Sequence, residues 1–469
     1  MKRAVWFWSC LSALILVSRL CHVNVLWADE DYHLAGAIQL LHGKMPYRDF
    51  WYDKPPLNLG FYLLFGAHTG VALRVADSAF VVLCCALAYR FASQLWSQRE
   101  GFLAAAALGF FLIFYIQSAN LPMEPDTLML APHLGAVYLA WRRKPLWAGV
   151  VAGVAFLLNA KALLVLAACA LFGGLPLLAL GFLATNAVLL AWLLSIGALA
   201  DYWEQVWRWS VGYISTSPSL VDPEWGFKSL LAWIGFHAAL AIGGLWYWLR
   251  GRSPERWRMA GWLALSLVAT AAGLRFAPCY MNQLLPALVL VAAYGFAHMG
   301  RMWRAAVLVA LLIPAVRFSP RYFELAHDDL AGRAHTWRDV AMDQESRLAS
   351  DIVLRTAKTG DTIFVWGYRP NVVAYTRLAV AGRLWDSQPV TGVPADRHLV
   401  DSEPVSAEGA REKRQELLRT RPTFIVDGLT LYNGGLDIHR YPELAPWLQQ
   451  YCVAGRTGFI TVYRLCEGP

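Results

Sequence analysis

The chain has 469 residues, of which 57% are hydrophobic and only 16% charged, with a net charge of +8. An average soluble domain carries about 25% charged residues, and the apolar surplus here falls in long blocks, so lipid is the expected solvent. Disordered, collagen-like, coiled-coil and disulfide-scaffold classes are excluded together, and the basic balance points to cytoplasmic loops, not to nucleic acid.

Lys2 and Arg3 precede an apolar run over residues 4–27. That run is too long for the core of a secretory signal, and no small-x-small cleavage site follows it, so it is read as an uncleaved first span. Further apolar blocks cover residues 73–95, 102–118, 128–141, 146–158, 163–172, 175–199, 230–249, 259–274, 284–299 and 305–316. The expectation is a polytopic bundle of about eleven transmembrane helices, although several blocks between 128 and 172 fall short of the ~20 residues of a straight span.

Basic residues set the predicted orientation. Lys2, Arg3, Arg90, Arg99, Arg142, Arg143, Lys144, Arg250, Arg252, Arg256, Arg258, Arg301 and Arg304 fall on one side, which the positive-inside rule makes cytoplasmic. The alternate loops hold Asp29, Glu30, Asp31, Asp49, Asp53, Glu124, Asp126, Asp201, Glu204, Asp222 and Glu224. Acids contribute little to topology, so their clustering on the outer side asks for a functional explanation.

An odd number of spans places everything after residue 316 outside. Charge becomes dense there and apolar runs shrink to strand length. Residues 338–358 have helical spacing, 362–366 and 423–426 read as buried strands, 406–419 as a charged helix, and 452–465 as two strands turning at Gly458. The alternation predicts a small α/β domain with some parallel sheet over 319–469, after a transmembrane module over 1–318. Cys10, Cys21, Cys84, Cys85, Cys169 and Cys279 show no metal spacing and read as small apolar residues. Cys452 and Cys466 lie in the outer domain, where a disulfide is permitted, but the hairpin register does not set them directly opposite.

Three segments carry candidate chemistry. Residues 27–56 hold five carboxylates, two histidines, several aromatics and the bases Lys44, Arg48 and Lys54 just after the first span. Residues 35–41 suit an interfacial helix, with Trp51 and Tyr52 near the headgroups. An ordinary loop with Asp29 as a helix cap is the plain alternative, but a cap does not call for three consecutive acids beside a membrane. In residues 120–126 the helix-breaking Pro122 and Pro125 explain themselves, whereas Glu124 and Asp126 at membrane depth are costly and face a cavity or a partner. Residues 275–286 offer Arg275, Tyr280, Asn282 and Gln283 to a phosphate or to sugar hydroxyls; alone, Arg275 equally suits a snorkelling anchor. Lys161, between two apolar runs, either snorkels outward or supplies charge to an anion.

At these residues the sequence resembles the polytopic GT-C glycosyltransferases, which include protein O-mannosyltransferases and lipid A aminoarabinose transferase. The shared features are Asp29-Glu30 past the first span, Tyr52-Asp53-Lys54-Pro55-Pro56 closing the first outer loop, an acidic second loop, and RFAPCYMNQLLPAL. The tail (DTIFVWGYRPNVVAYTRLAVAGR, RPTFIVDG, RYPEL, TGFITVYR) is similar to that of bacterial members. One departure is Asp53, where aminoarabinose transferases carry Glu; the extra Asp31 leaves open which carboxylate acts.

The resemblance implies an inverting sugar transfer from a polyprenyl-phosphate carrier to an acceptor hydroxyl on the outer face of a bacterial inner membrane. Asp29 is then the candidate general base, and Glu30 orients it or binds the acceptor. Lys54 matches the phosphate-side lysine, with Arg48 and Arg275 added from charge and topology. Glu124 and Asp126 line the acceptor side, Asp53, Tyr280 and Gln283 line the substrate, and grooves beside residues 57–65 hold the isoprenoid tail. The acceptor is a glycan, lipid or protein; membrane lipids are the other partners. No Rossmann or P-loop fingerprint appears, which argues against a sugar-nucleotide donor. No cofactor is implied with certainty: paired acids can recruit a divalent metal, and a monophosphate carrier needs none. The alternatives are a transporter or flippase of lipid-linked saccharides, which should show paired repeats that are not seen, and a non-catalytic scaffold.

Overall fold

In a computed structural model, residues 2–466 are described apart from 252, 334, 368 and 395–403; Arg252 of the basic set thus lies outside the described residues. The chain divides into two compact units, Met1–Val23 with Val71–Ala191 and Ser217–Ala334, and Asn24–Gly70 with Trp192–Thr216 and His335–Pro469.

The first unit is helical, and most apolar blocks of the sequence fall on a single helix, whereas the block 230–249 is divided between two. Among the described residues, five helices are long and apolar enough to cross a membrane: Lys2–Leu20, Val71–Leu95, Leu175–Ser195, Pro278–His298 and Arg301–Ala331. The pair Glu224–Phe236 and Ala238–Arg250, bent by 87°, makes a sixth if counted as one span. Leu130–Trp141, Pro145–Phe156 and Ala162–Ala170 are shorter, as their blocks predict. This is a multi-pass membrane protein. Where apolar attraction between helices is weak, small residues let backbones approach. A Cβ on Gly149 would lie 2.0 Å from the Leu178 carbonyl oxygen, and one on Gly181 2.1 Å from that of Leu146. Two glycines therefore set the contact between Pro145–Phe156 and Leu175–Ser195. Arg19, buried in this unit, donates to Asp77 and to the carbonyl of Leu112.

The second unit is built on a five-stranded sheet of order β2-β1-β3-β5-β4, with β1 Thr362–Trp366, β2 Ala379–Val380, β3 Phe424–Asp427, β4 Tyr451–Arg456 and β5 Thr461–Leu465. β1 runs parallel to β2 and β3, while β5 is antiparallel to β3 and β4. The central strands TIFVW and FIVD are buried almost throughout, which is why their apolar runs are continuous instead of alternating. The helix Arg338–Leu354 and the helix Ala407–Leu417, capped by the Ser406 hydroxyl, are those expected from the sequence. Cys452 and Cys466 are bonded, with Cα atoms 5.3 Å apart. Cys452 faces Arg464 in the register, so the bond runs diagonally across the hairpin.

The segment Asn24–Gly70 is stitched to this sheet. Gln39 Nε2 donates to the Leu378 carbonyl and its Oε1 accepts from the Val380 amide, 3.2 and 2.9 Å. Lys44 Nζ donates to the Val380 carbonyl at 2.5 Å. The Trp51 amide donates to the Arg383 carbonyl, and Trp385 Nε1 donates to the Trp51 carbonyl at 2.8 Å.

Candidate active site

The acidic triplet opens the helix Ala28–Leu41. Consecutive helical residues are rotated by about 100°, so three acids in a row cannot share a face. Asp29 is exposed, whereas Glu30 and Asp31 are fully buried. Asp31 has a structural partner: its Oδ2 accepts the Asn371 amide at 3.1 Å. The Asn371 side chain in turn donates to Asp343, which also accepts from Tyr375 and Arg347. Trp27, just before the helix, donates its indole N–H to Asp339 at 2.9 Å. The triplet is therefore divided, with one acid facing solvent and two turned into the protein.

The Tyr-Asp-Lys-Pro-Pro loop lies in the same unit and is held on several sides. Gln205 accepts the Tyr52 amide and donates to the Tyr47 carbonyl, both at 2.8 Å. Tyr47, in the left-handed region at φ 69°, donates its hydroxyl to the Lys54 carbonyl at 2.8 Å. The Tyr32 hydroxyl accepts the Asp53 amide, and its ring stacks on those of Tyr52 and Trp385. With its backbone fixed in this way, Lys54 Nζ sits 2.9 Å from Asp53 Oδ2, and its side chain keeps 37% of its surface. Desolvation pulls the Lys54 pKa down, but Asp53, Tyr213 and Asp29 together lift it above the ordinary lysine value. The ammonium is thus charged, solvent-touched and within the electrostatic reach of Asp29. Behind it His33 Nδ1 is 2.6 Å from the Tyr52 hydroxyl. Burial, and then the charge of Lys54, drive its pKa down to about 3, so this imidazole is neutral. Burial, reinforced by Asp53, holds the Tyr52 phenol well above its ordinary pKa.

Arg48 is elsewhere on this loop, forked onto Asp49 with both contacts at 2.8 Å and donating to the Ile196 carbonyl. The short helix Leu57–Leu63 follows the prolines, and Leu64 beyond it is 83% exposed.

The remaining candidates belong to the first unit. Glu124 caps the turn Pro125–Leu128, accepting the amides of Asp126 and Thr127 at 2.9 and 2.8 Å. Asp126 Oδ1 pairs with Lys161 Nζ at 2.8 Å, and the side chains are only 4% and 13% exposed. Gln283 Nε2 donates to the Asp126 carbonyl and to Oδ1. Lys161 also lies 3.3 Å above the centroid of the Tyr280 ring. Asp126, Lys161, Tyr280 and Gln283 are thus one cluster, although the sequence offered them from three separate segments. Arg275 is buried, and its carbonyl accepts the Trp225 indole N–H. Among the described residues no group of three or more His, Cys, Asp or Glu could hold a metal ion.

Sequence reasoning did not single out Gln205, His33, Tyr32, Asn371 or Asp343. Gln205 lies in a π-helical turn, Trp203–Arg208, which carries no periodic signal. The stacking of Tyr32 on Tyr52 carries no sequence signal.

No protein-family profile and no curated protein matches the sequence. Among solved structures, the chain is similar over its whole length to ArnT from Cupriavidus metallidurans bound to undecaprenyl phosphate, with TM-score 0.62, 14% identity and 100% of both chains covered. The apo state of that protein gives TM-score 0.58 at 14% identity, covering 100% of this chain and 99% of ArnT. A weaker likeness, TM-score 0.49 at 14% identity, covers 94% of this chain and 71% of an oligosaccharyltransferase from Archaeoglobus fulgidus. The chain shares the fold of ArnT, the fold that the motif resemblance implies.

Proposed function

We propose that the protein transfers a sugar from a polyprenyl-phosphate carrier to an acceptor hydroxyl, with inversion, and that Asp29 is the general base. One observation carries the reading: the solvent-facing Asp29 and the ammonium of Lys54, paired with Asp53, stand on a helix and a loop tied to one sheet. In this scheme Asp29 takes the acceptor proton as the new C–O bond forms, and the lipid phosphate departs with the bonding pair of the old one. A phosphate leaving group needs charge stabilisation more than a proton, and Lys54 supplies it. Asp53 keeps that ammonium charged and aimed, and Glu30 orients the base from within. Arg48, occupied by Asp49, acts only on exchanging that partner. Arg275, Glu124, Asp126, Tyr280 and Gln283 belong to the other unit and have no step in this scheme. The exposed apolar stretch around Leu64 suits an isoprenoid tail. The ArnT fold, in a protein crystallised with undecaprenyl phosphate, supports this donor class.

The disulfide supports an outer location for the second unit, since such bonds persist in oxidising compartments. That agrees with a bacterial inner membrane and a C-terminal domain outside it. A divalent metal is not required by a monophosphate carrier and has no part in this scheme.

The test is mass analysis of envelope glycans in cells lacking the gene and complemented with wild type, Asp29→Asn or Lys54→Met. A general base contributes about 10²–10⁴-fold in rate, so Asp29→Asn should abolish the mass shift that wild type restores while the protein still accumulates. Restoration by Asp29→Asn at the wild-type rate sinks the base assignment.

A further inference from the structure

A cavity of about 410 Å³ lies wholly within the second unit, with Trp51 and Trp209 in its wall. Its volume falls in the ~300–1,000 Å³ range of small-ligand sites. Trp51, three residues before Lys54, and Trp209 meet edge to face at 5.5 Å. Lys413 lies 5.4 Å above the Trp51 ring and pairs with Glu204 at 3.1 Å. Arg208 and, from the helix Ala407–Leu417, Glu408 and Glu412 complete the polar rim.

The local backbone is unusual. Glu204 and Arg208 belong to the π-helix Trp203–Arg208, and the Trp209 amide bonds the Glu204 carbonyl five residues back. In an α-helix two residues five apart point about 140° away from each other. The wider turn brings Trp209 round onto the face of Glu204. π-turns are rare and recur at functional sites. Here the turn has an evident product, which is an indole and a carboxylate lining one hollow.

We propose that this cavity binds an uncharged saccharide and serves as a docking subsite for an acceptor glycan; the word acceptor rests on the transferase reading, while the binding does not. An indole offers a flat apolar face with a polar edge, which suits the C–H face of a pyranose. Carboxylates accept, and Arg208 donates, the hydrogen bonds that ring hydroxyls need. Lys413 is taken up by Glu204, and Glu408 and Glu412 outnumber Arg208 in the rest of the wall. The net negative charge disfavours a phosphate, and it disfavours the anionic headgroups that a membrane-seeking tryptophan pair would otherwise meet.

The experiment is saturation-transfer NMR on the full chain in nanodiscs, with maltotriose, mannotriose and N-acetylated chitotriose as probes. At least one probe should show saturable transfer to its ring protons. Trp209→Ala should weaken it roughly tenfold, Trp209→Phe should retain most of it, and both should keep the wild-type unfolding midpoint. Asp29→Asn should bind as wild type does while losing turnover. No transfer to any probe, or equal affinity in Trp209→Ala, overturns the proposal. Probe binding with turnover surviving in Asp29→Asn would instead overturn the base assignment and leave the cavity standing.

Discussion

The Asp126–Lys161 pair gives a direct test of whether buried charge in the helical unit is structural. The two side chains are 4% and 13% exposed and meet at 2.8 Å. Removing one member of a buried pair typically costs about 3–5 kcal/mol, because the other charge is left unpaired. Lys161→Met should fall near the lower end, since Asp126 Oδ1 keeps the Gln283 amide at 3.2 Å. Asp126→Asn should cost less, because Lys161 retains the Tyr280 ring 3.3 Å from its ammonium and a cation over a desolvated ring is worth about 2 kcal/mol. In the double variant neither charge remains, so its loss should be well below the sum of the singles. The assay is a double-mutant cycle on detergent-induced unfolding followed by tryptophan fluorescence. Single losses that add to within about 0.5 kcal/mol would show that the pair contributes no coupling, and the reasoning would fail.

Three further outcomes follow from particular contacts. His33, neutral down to about pH 3 against an ordinary 6.5, binds its proton more readily in the unfolded chain. Stability is therefore full above pH 6.5 and falls at about 1.4 kcal/mol per pH unit between 6.5 and 3; His33→Asn should flatten that slope in unfolding measured across pH. Reducing Cys452–Cys466, which close a loop with a sequence separation of 14, should cost the second unit about 3 kcal/mol, read as a lower unfolding midpoint in reductant that Cys452→Ser no longer shows. Gly149→Ala would drive a methyl against the Leu178 carbonyl oxygen, 2.0 Å away. Separating those helices should cost about 1–3 kcal/mol, again seen as a lowered midpoint.

The strands were legible where burial alone defines them. TIFVW and FIVD are apolar at nearly every position because both faces of the central strands are covered. The partner β2 is only Ala379–Val380. Two residues carry no pattern, and what makes them a strand is the neighbour β1. The site divides in the same way. Three acids after a span were readable as a candidate site, but which of them faces solvent was not. The choice is made by the Asn371 amide, 340 positions away in the chain. Glu124 shows the reverse case: the prolines were explained as breakers, and the acid between them proves to cap the turn they start. Asp126 and Lys161 looked like separate oddities because a helix spacing cannot report a partner 35 residues off.

These long separations bear on how the proposed site is assembled. The segment Asn24–Gly70 owes its register to Val380, Arg383 and Trp385 and its acid placement to Asn371. It is synthesised early, yet its hydrogen-bond partners emerge more than 300 residues later. Closing such long loops is entropically unfavourable and slow, so this segment reaches its final register only after the tail has folded. Under the transfer reading, the C-terminal sheet is then the scaffold of the base and the phosphate lysine. A tail that merely decorated a finished membrane enzyme would have no cause to supply the amide that buries Asp31 or the carbonyl that anchors Trp51.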